Sequence, residues 1–201
     1  MPSLVTASWA AWGAANLPSR VELAADDVAG AVVKLGIRVA PDARTASTLG
    51  TEREGSGVLI DTDGHILTIG YLLLEAQSIL VVTTDGRVLP AVVAGFDHVT
   101  GFGLVRATQS LDHPPVALGD SSAALEMNTV TVAAHPGAGG WSHACIVGRR
   151  AFTGWWEYAL DDAIFTSPAR DQHSGAALLD HAGQLIGIGS LWVGDATDTG
   201  A

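Results

Sequence analysis

Short runs rich in β-branched and aliphatic residues follow one another along this chain, separated by turns that contain glycine or proline. Val33, Leu35, Ile37 and Val39 alternate with Lys34, Gly36 and Arg38, the period-2 pattern of a strand with one buried face. Val58-Leu59-Ile60 and His65 to Ile69 flank Asp61-Thr62-Asp63-Gly64, a hairpin turn in which glycine supplies positive φ. Ser78 to Thr83 and Val88 to Gly95 are joined in the same way across Asp85-Gly86, and Phe102 to Val105 is a fifth run. The pattern then returns in Thr129 to Ala134, Ala144 to Gly148, Tyr158 to Thr166, Ala176 to Leu179 and Leu185 to Val193, with Asp180 to Gly183 as a turn. With 24 glycines among 201 residues, this predicts an all-β chain. Two β-rich halves of similar size fit two packed small barrels, with a single sandwich as the competing architecture.

The remaining segments divide the chain. Ser19 and Glu22 have capping-box spacing, and Val21, Ala24, Ala25 and Val28 share one face, so a short helix is predicted up to about Ala29. Residues 40–54 read as an exposed loop. Residues 108–128, with Pro114-Pro115, read as a linker that crosses between the halves. The expected organisation is an N-terminal segment (1–30), a first barrel (31–107), the linker (108–128) and a second barrel (129–201).

Charge narrows the function classes. Ten basic against twenty-one acidic residues give a formal charge of −11. A nucleic-acid binder needs a basic surface, so none is expected as a partner. The same charge opposes docking on an anionic membrane, and no apolar run reaches the roughly 18 residues of a membrane span, so no membrane insertion is expected. The start has no basic region before its apolar residues, which predicts a cytoplasmic chain if Met1 is the native start. Cys145 is the single cysteine, so an internal disulfide and a cysteine-rich zinc site are both excluded. A small buried residue is its expected role.

The seven histidines (65, 98, 113, 135, 143, 173 and 181) form no helical metal pair. His135 and His143 flank the glycine-rich loop Pro136 to Trp141 and could meet across a hairpin, but no third ligand is visible, and solvated loop histidines are the expected reading. Asp161-Asp162 reads as a solvated turn. Trp141, Trp155, Trp156 and Trp192 fall in the second half. They either fill the core or leave one exposed indole for a partner. No cofactor is expected.

Several segments stand in the order and spacing of one family. Gly55-Ser56-Gly57-Val58-Leu59-Ile60-Asp61, Asp63-Gly64-His65-Ile66-Leu67-Thr68, Thr84-Asp85-Gly86-Arg87, Asp97 to Leu104, Leu118-Gly119-Asp120-Ser121, and Ser174-Gly175-Ala176-Ala177-Leu178 with Gly183 to Ile188 resemble the trypsin-like serine proteases of the HtrA (DegP) type. The resemblance covers roughly residues 30–192. It implies two six-stranded barrels with a cleft between them. In that family the histidine stands three residues past the threonine of the DGyIlT strand; here Thr68-Ile69-Gly70-Tyr71 puts Tyr71 there. The family's aspartate falls on Gly101. The nucleophile motif reads Gln172-His173-Ser174-Gly175, so Ser174 keeps the serine position while Gln172 replaces the glycine two before it. Gln172, His173 and Gly175 would then line the binding site beside it.

A serine hydroxyl needs a base to take its proton. A neutral phenol, with a reference pKa near 10, is a poor one, and glycine has no group to orient a partner. The expectation is a catalytically inactive pseudoprotease that binds a peptide or protein in its cleft. Two alternatives stay open: an endopeptidase in which His98 serves Ser174 as base, and a metal- or small-ligand-binding module. His173 is adjacent to Ser174 and on extended backbone would point the other way. Trimers are common in that family, so a homo-oligomer stays open, and the resemblance also admits a periplasmic location. The tail GDATDTGA is too polar for the family's last strand. Either the second barrel lacks that strand, or another segment, such as residues 3–17, covers the open edge.

Overall fold

The computed structural model describes residues 3–7, 25–135, 140–153, 159–169 and 171–193. Twelve strands among them form two closed six-stranded barrels.

Alternation builds the first barrel. It contains β2 (Val32–Val39), β3 (Glu52–Leu59), β4 (His65–Ile69), β5 (Ala76–Val82), β6 (Val88–Phe96) and β7 (Phe102–Ala107), hydrogen-bonded in the order β2-β3-β4-β7-β6-β5. Val33, Leu35, Ile37 and Val39 point into it, while Lys34 and Arg38 reach Glu54 and Glu52 on β3. Gly64 and Gly86 adopt φ of +84° and +86° in their hairpins, as the turn sequences require.

The loop expected over 40–54 is corrected. It holds a helical turn at Ala46–Leu49, and β3 begins at Glu52, pairing with Arg38. The strand start was hidden because its inward residue is charged: Arg53 is 5% exposed between outward Glu52 and Glu54.

The second barrel is ordered β1-β10-β9-β8-β11-β12. Its strands are β1 (Ser3–Ala7), β8 (Thr129–Ala133), β9 (Trp141–Thr153), β10 (Ala159–Ser167), β11 (Ala177–Leu179) and β12 (Leu185–Val193). A missing closing strand is therefore not what the structure has. β1, from the N-terminal end, lies antiparallel between β10 and β12 and closes the barrel. Closure leaves no free edge, which a barrel with five strands would expose. β9 extends well past the expected 144–148 at both ends.

A helix, α1 (Ala25–Ala31), leads into β2. The part of the expected helix before residue 25 lies outside the described residues. The linker is tied down by a bridge from Leu118 to Leu185 and by a 3-10 turn at Ser121–Ala123, where the Asp120 side chain accepts from Ser122 N.

The two barrels share apolar contact. Ala133, Ala177, Leu179, Leu185 and Ile188 of the second pack with Val33, Leu35, Val58 and Ile69 of the first in one cluster, with half-buried Trp141 against it. Each fully buried Leu or Ile contributes about 1.5–3 kcal/mol. The barrels thus hold each other, and their junction positions the site. No helix among the described residues is long and apolar enough to cross a membrane.

Candidate functional site

Tyr71 stands on the 3-10 turn Gly70–Leu73, directly after β4. Glycine is required before it: a Cβ at Gly70 would lie 2.3 Å from the Phe96 ring and 2.8 Å from the Gly101 carbonyl. Arg53 anchors the turn from behind, with Nη1 donating to the carbonyls of Tyr71 (3.0 Å) and Leu74 (2.9 Å). The half-buried phenol projects across the junction to the second barrel.

Ser174 meets it from the other side. Ala176 N donates to His173 O at 3.0 Å, Gly175 N to Gly189 O at 2.9 Å, and Gly189 N to Ala176 O at 2.7 Å, so the serine sits on a tight turn held by β12. Gly175 has φ of +74°, and a Cβ there would lie 1.9 Å from the Ser56 carbonyl oxygen. Ser56 N in turn donates to Ser174 O at 2.8 Å. The first barrel therefore meets the serine turn closely through the Ser56 backbone.

The two hydroxyls form one network. Tyr71 Oη donates toward Ser174 Oγ at 2.6 Å and toward the Ser190 carbonyl at 3.0 Å. The phenol has one proton, and a carbonyl can only accept. When that proton serves Ser190, Ser174 donates its own proton into the phenol oxygen. In either arrangement Ser174 faces a hydroxyl.

Gly101 is buried with φ of +74°, and its carbonyl accepts from Gly70 N at 2.7 Å. It offers backbone only. Asp97 is occupied nearby, accepting from Thr100 Oγ1 at 2.7 Å and Val99 N at 2.9 Å. The Thr100 hydroxyl above all holds its carboxyl below the usual range. The His98 imidazole is exposed, its ring centroid 4.6 Å from that of Phe96. Gln172 is exposed and His173 half-buried, with the His173 carbonyl packed against Gly189. Trp192 is 54% exposed on the β12 segment that carries Ser190. Trp155, Trp156 and Tyr158 lie outside the described residues.

Three participants are not singled out as site residues by the sequence. Ser190 acts through its carbonyl, which every residue has. Ser56 acts chiefly through its backbone. Arg53 could have been suspected as a lone cation at an inward strand position.

His143 is exposed beside Thr131 (3.4 Å), while the His135 ring lies half-buried toward the first barrel, its backbone N–H donating to Ser56 Oγ at 3.1 Å. Among the described residues, the group with three metal-capable side chains is Asp61, Asp63 and His65 on the β3–β4 turn. There the Asp61 carboxylate already accepts from Asp63 N, His65 N and His65 Nδ1. A cavity of about 450 Å³ opens beside that turn, lined by Arg106, Asp112 and His113 among others and by none of the residues around Ser174. Asp162 is exposed and paired with Arg149, and Cys145 is half-buried.

His135 carries a pH dependence. Burial pushes its imidazole below the ordinary value, assisted by Lys34 and opposed by a hydrogen bond to the Thr83 backbone, and Nε2 is buried without a hydrogen-bond partner. The unfolded chain, with histidine near 6.5, therefore takes up this proton first as pH falls. Stability is expected to be full above about pH 6.5 and to decline below it, through the lower folded value. Thermal melts from pH 7.5 to 5 should show the decline, and His135→Gln should flatten it; an unchanged slope would exclude His135 as its source.

The trypsin-like peptidase domain model matches residues 55–188. The periplasmic serine endoprotease DegP of Escherichia coli K12 is 32% identical over 138 residues, 67% of this chain and 29% of that protein. The putative serine protease HhoA of Synechocystis is 29% identical over 153 residues, 73% of this chain and 39% of that one. The chain thus spans well under half the length of these relatives. Among solved structures, an HtrA-type protease, AlgW with a tripeptide, superposes with a TM-score of 0.67 at 25% identity, covering 81% of this chain and 51% of that one.

Proposed function

Since the chain belongs to the trypsin-like peptidase domain family and has the fold of its HtrA-type members, we propose that it is a member that binds an extended peptide or protein segment between its barrels without cutting it. The observation that carries this reading is the contact between Tyr71 Oη and Ser174 Oγ at 2.6 Å. A nucleophilic serine must pass its proton to a base as it attacks, and the base must be oriented by a further group. Here a phenol is in reach, and it also donates toward the Ser190 carbonyl. At the position of the family's carboxylate stands Gly101. In related enzymes, loss of triad members costs on the order of 10⁴ to 10⁶ in turnover.

Binding needs none of that machinery. Exposed Trp192, close to Ser190 in the chain, offers the rigid aromatic anchor that peptide sites favour.

The test is labelling by a fluorophosphonate probe, with digestion of casein and its capture by the immobilised chain measured in parallel. The expected result is no labelling above Ser174→Ala, no digestion, and capture that Trp192→Ala weakens about tenfold, the size of effect an anchor residue has. Labelling that disappears in Ser174→Ala would overturn the non-cutting reading. Equal capture by Trp192→Ala would remove the assigned anchor.

A further inference from the structure

From Gly189 to Val193, the ladder partner of β12 is β1; β11 pairs with β12 only as far as Ile188. Two consecutive residues of that stretch hold the two hydroxyl partners. Gly189 exchanges hydrogen bonds with Gly175 and Ala176 and so fixes the serine turn. Ser190 accepts from Tyr71. The pairing of β1 is what displaces Ser190 from the ladder: Val5 opposes Leu191 and Thr6 opposes Gly189, leaving Ser190 as the extra residue of a bulge. A bulge re-aims the backbone of its extra residue, and here that carbonyl meets the phenol.

We propose that docking of Ser3–Ala7 between β10 and β12 sets the Tyr71–Ser174 contact, making the N-terminal strand a strap that holds the cleft in its closed arrangement. This rests on reading Tyr71 as the group that closes off Ser174. With β1 docked, Gly189 and Ser190 are pinned at a spacing that serves both hydroxyls. With β1 displaced, Gly189 keeps its bonds to Gly175 and Ala176 while the stretch from Ser190 to Val193 loses its ladder, and the Ser190 carbonyl is no longer held toward Tyr71.

Amide hydrogen exchange on the full chain tests this, using one variant that loosens the strand and one that locks it. Val5→Pro removes a strand N–H. It is expected to speed exchange at residues 173–176 and 189–191 by about tenfold or more, leaving β2–β7 unchanged. Leu4→Cys with Trp192→Cys, in a Cys145→Ala chain, places two thiols at opposed positions of an antiparallel pair, the spacing a disulfide needs. The oxidised form should exchange at the same residues about tenfold more slowly than the reduced form. Unchanged exchange at 173–176 and 189–191 in both chains would overturn the proposal. A uniform change across the whole second barrel would also overturn it, since β1 would then be a closing strand and nothing more. Probe labelling of Ser174 does not enter this result, so the strap and the non-cutting reading can fail separately.

Discussion

Gly175→Ala is expected to lower the melting temperature by about 10 °C and to disorder the serine turn. Two costs combine there. A side chain at φ of +74° is strained wherever it sits, and this one would also lie 1.9 Å from the Ser56 carbonyl oxygen and 2.5 Å from Thr68 Oγ1. Neither neighbour can yield cheaply. The Ser56 carbonyl accepts from Thr68 Oγ1 at 2.7 Å, and the Ser56 N–H holds Ser174 O. Strain and overpacking together come to about 3–5 kcal/mol, and each kcal/mol is worth about 2–4 °C in a chain of this size. Gly86→Ala is the matched control. Its φ of +86° carries the same strain, but a Cβ there meets nothing within 4 Å, so its melting temperature should fall by only a few degrees. Equal effects in calorimetry would show that backbone strain, and not the close approach of Ser56, sets the cost at Gly175.

Arg53→Leu is the second large effect, expected to cost about 3–5 kcal/mol. The guanidinium is 5% exposed and donates to Gly50 O, Tyr71 O, Leu74 O and Thr45 Oγ1 at 2.7–3.2 Å. Thr45 is held in turn by Glu75, which accepts from its hydroxyl and its backbone N–H. Leucine would leave buried carbonyls without donors and the Tyr71 turn without its anchor. Arg53→Lys should recover little, because one ammonium cannot reproduce a planar fork aimed at several acceptors. Denaturant melts give the stability, and the exchange rate of the Gly70–Leu74 amides reports the turn. A lysine variant as stable as the parent would show that charge alone suffices.

Much of the fold was legible in the chain. β2, β4 and β12 follow period-2 or continuous apolar patterns, and the Asp-Gly hairpins fell where glycine takes positive φ. Patterning failed where the inward residue was not apolar. Arg53 made the start of β3 read as a loop, although the carbonyls that accept its guanidinium come from residues on either side of it in sequence. The carbonyls of Tyr71 and Leu74, well separated from Arg53 in the chain, leave no trace beside it. β9 read short for a different reason: its ends mix Trp141 and Phe152 with small, polar and charged residues in no period-2 pattern, and their strand state comes from pairing with β8 and β10.

Local patterning in the sequence determined the alternation of strands and turns, and the residue identities Tyr71, Gly101 and Ser174 could be read there directly, since side-chain identity and period are local properties. Tertiary structure alone decided that Ser3–Ala7 would fill the slot between β10 and β12, and that the Ser190 carbonyl would meet the Tyr71 hydroxyl. Both depend on backbone groups brought together from far apart in the chain. Every residue carries the same C=O and, proline apart, the same N–H, so their pairing is written in the closure of the barrels and not in the identity of the residues that supply them.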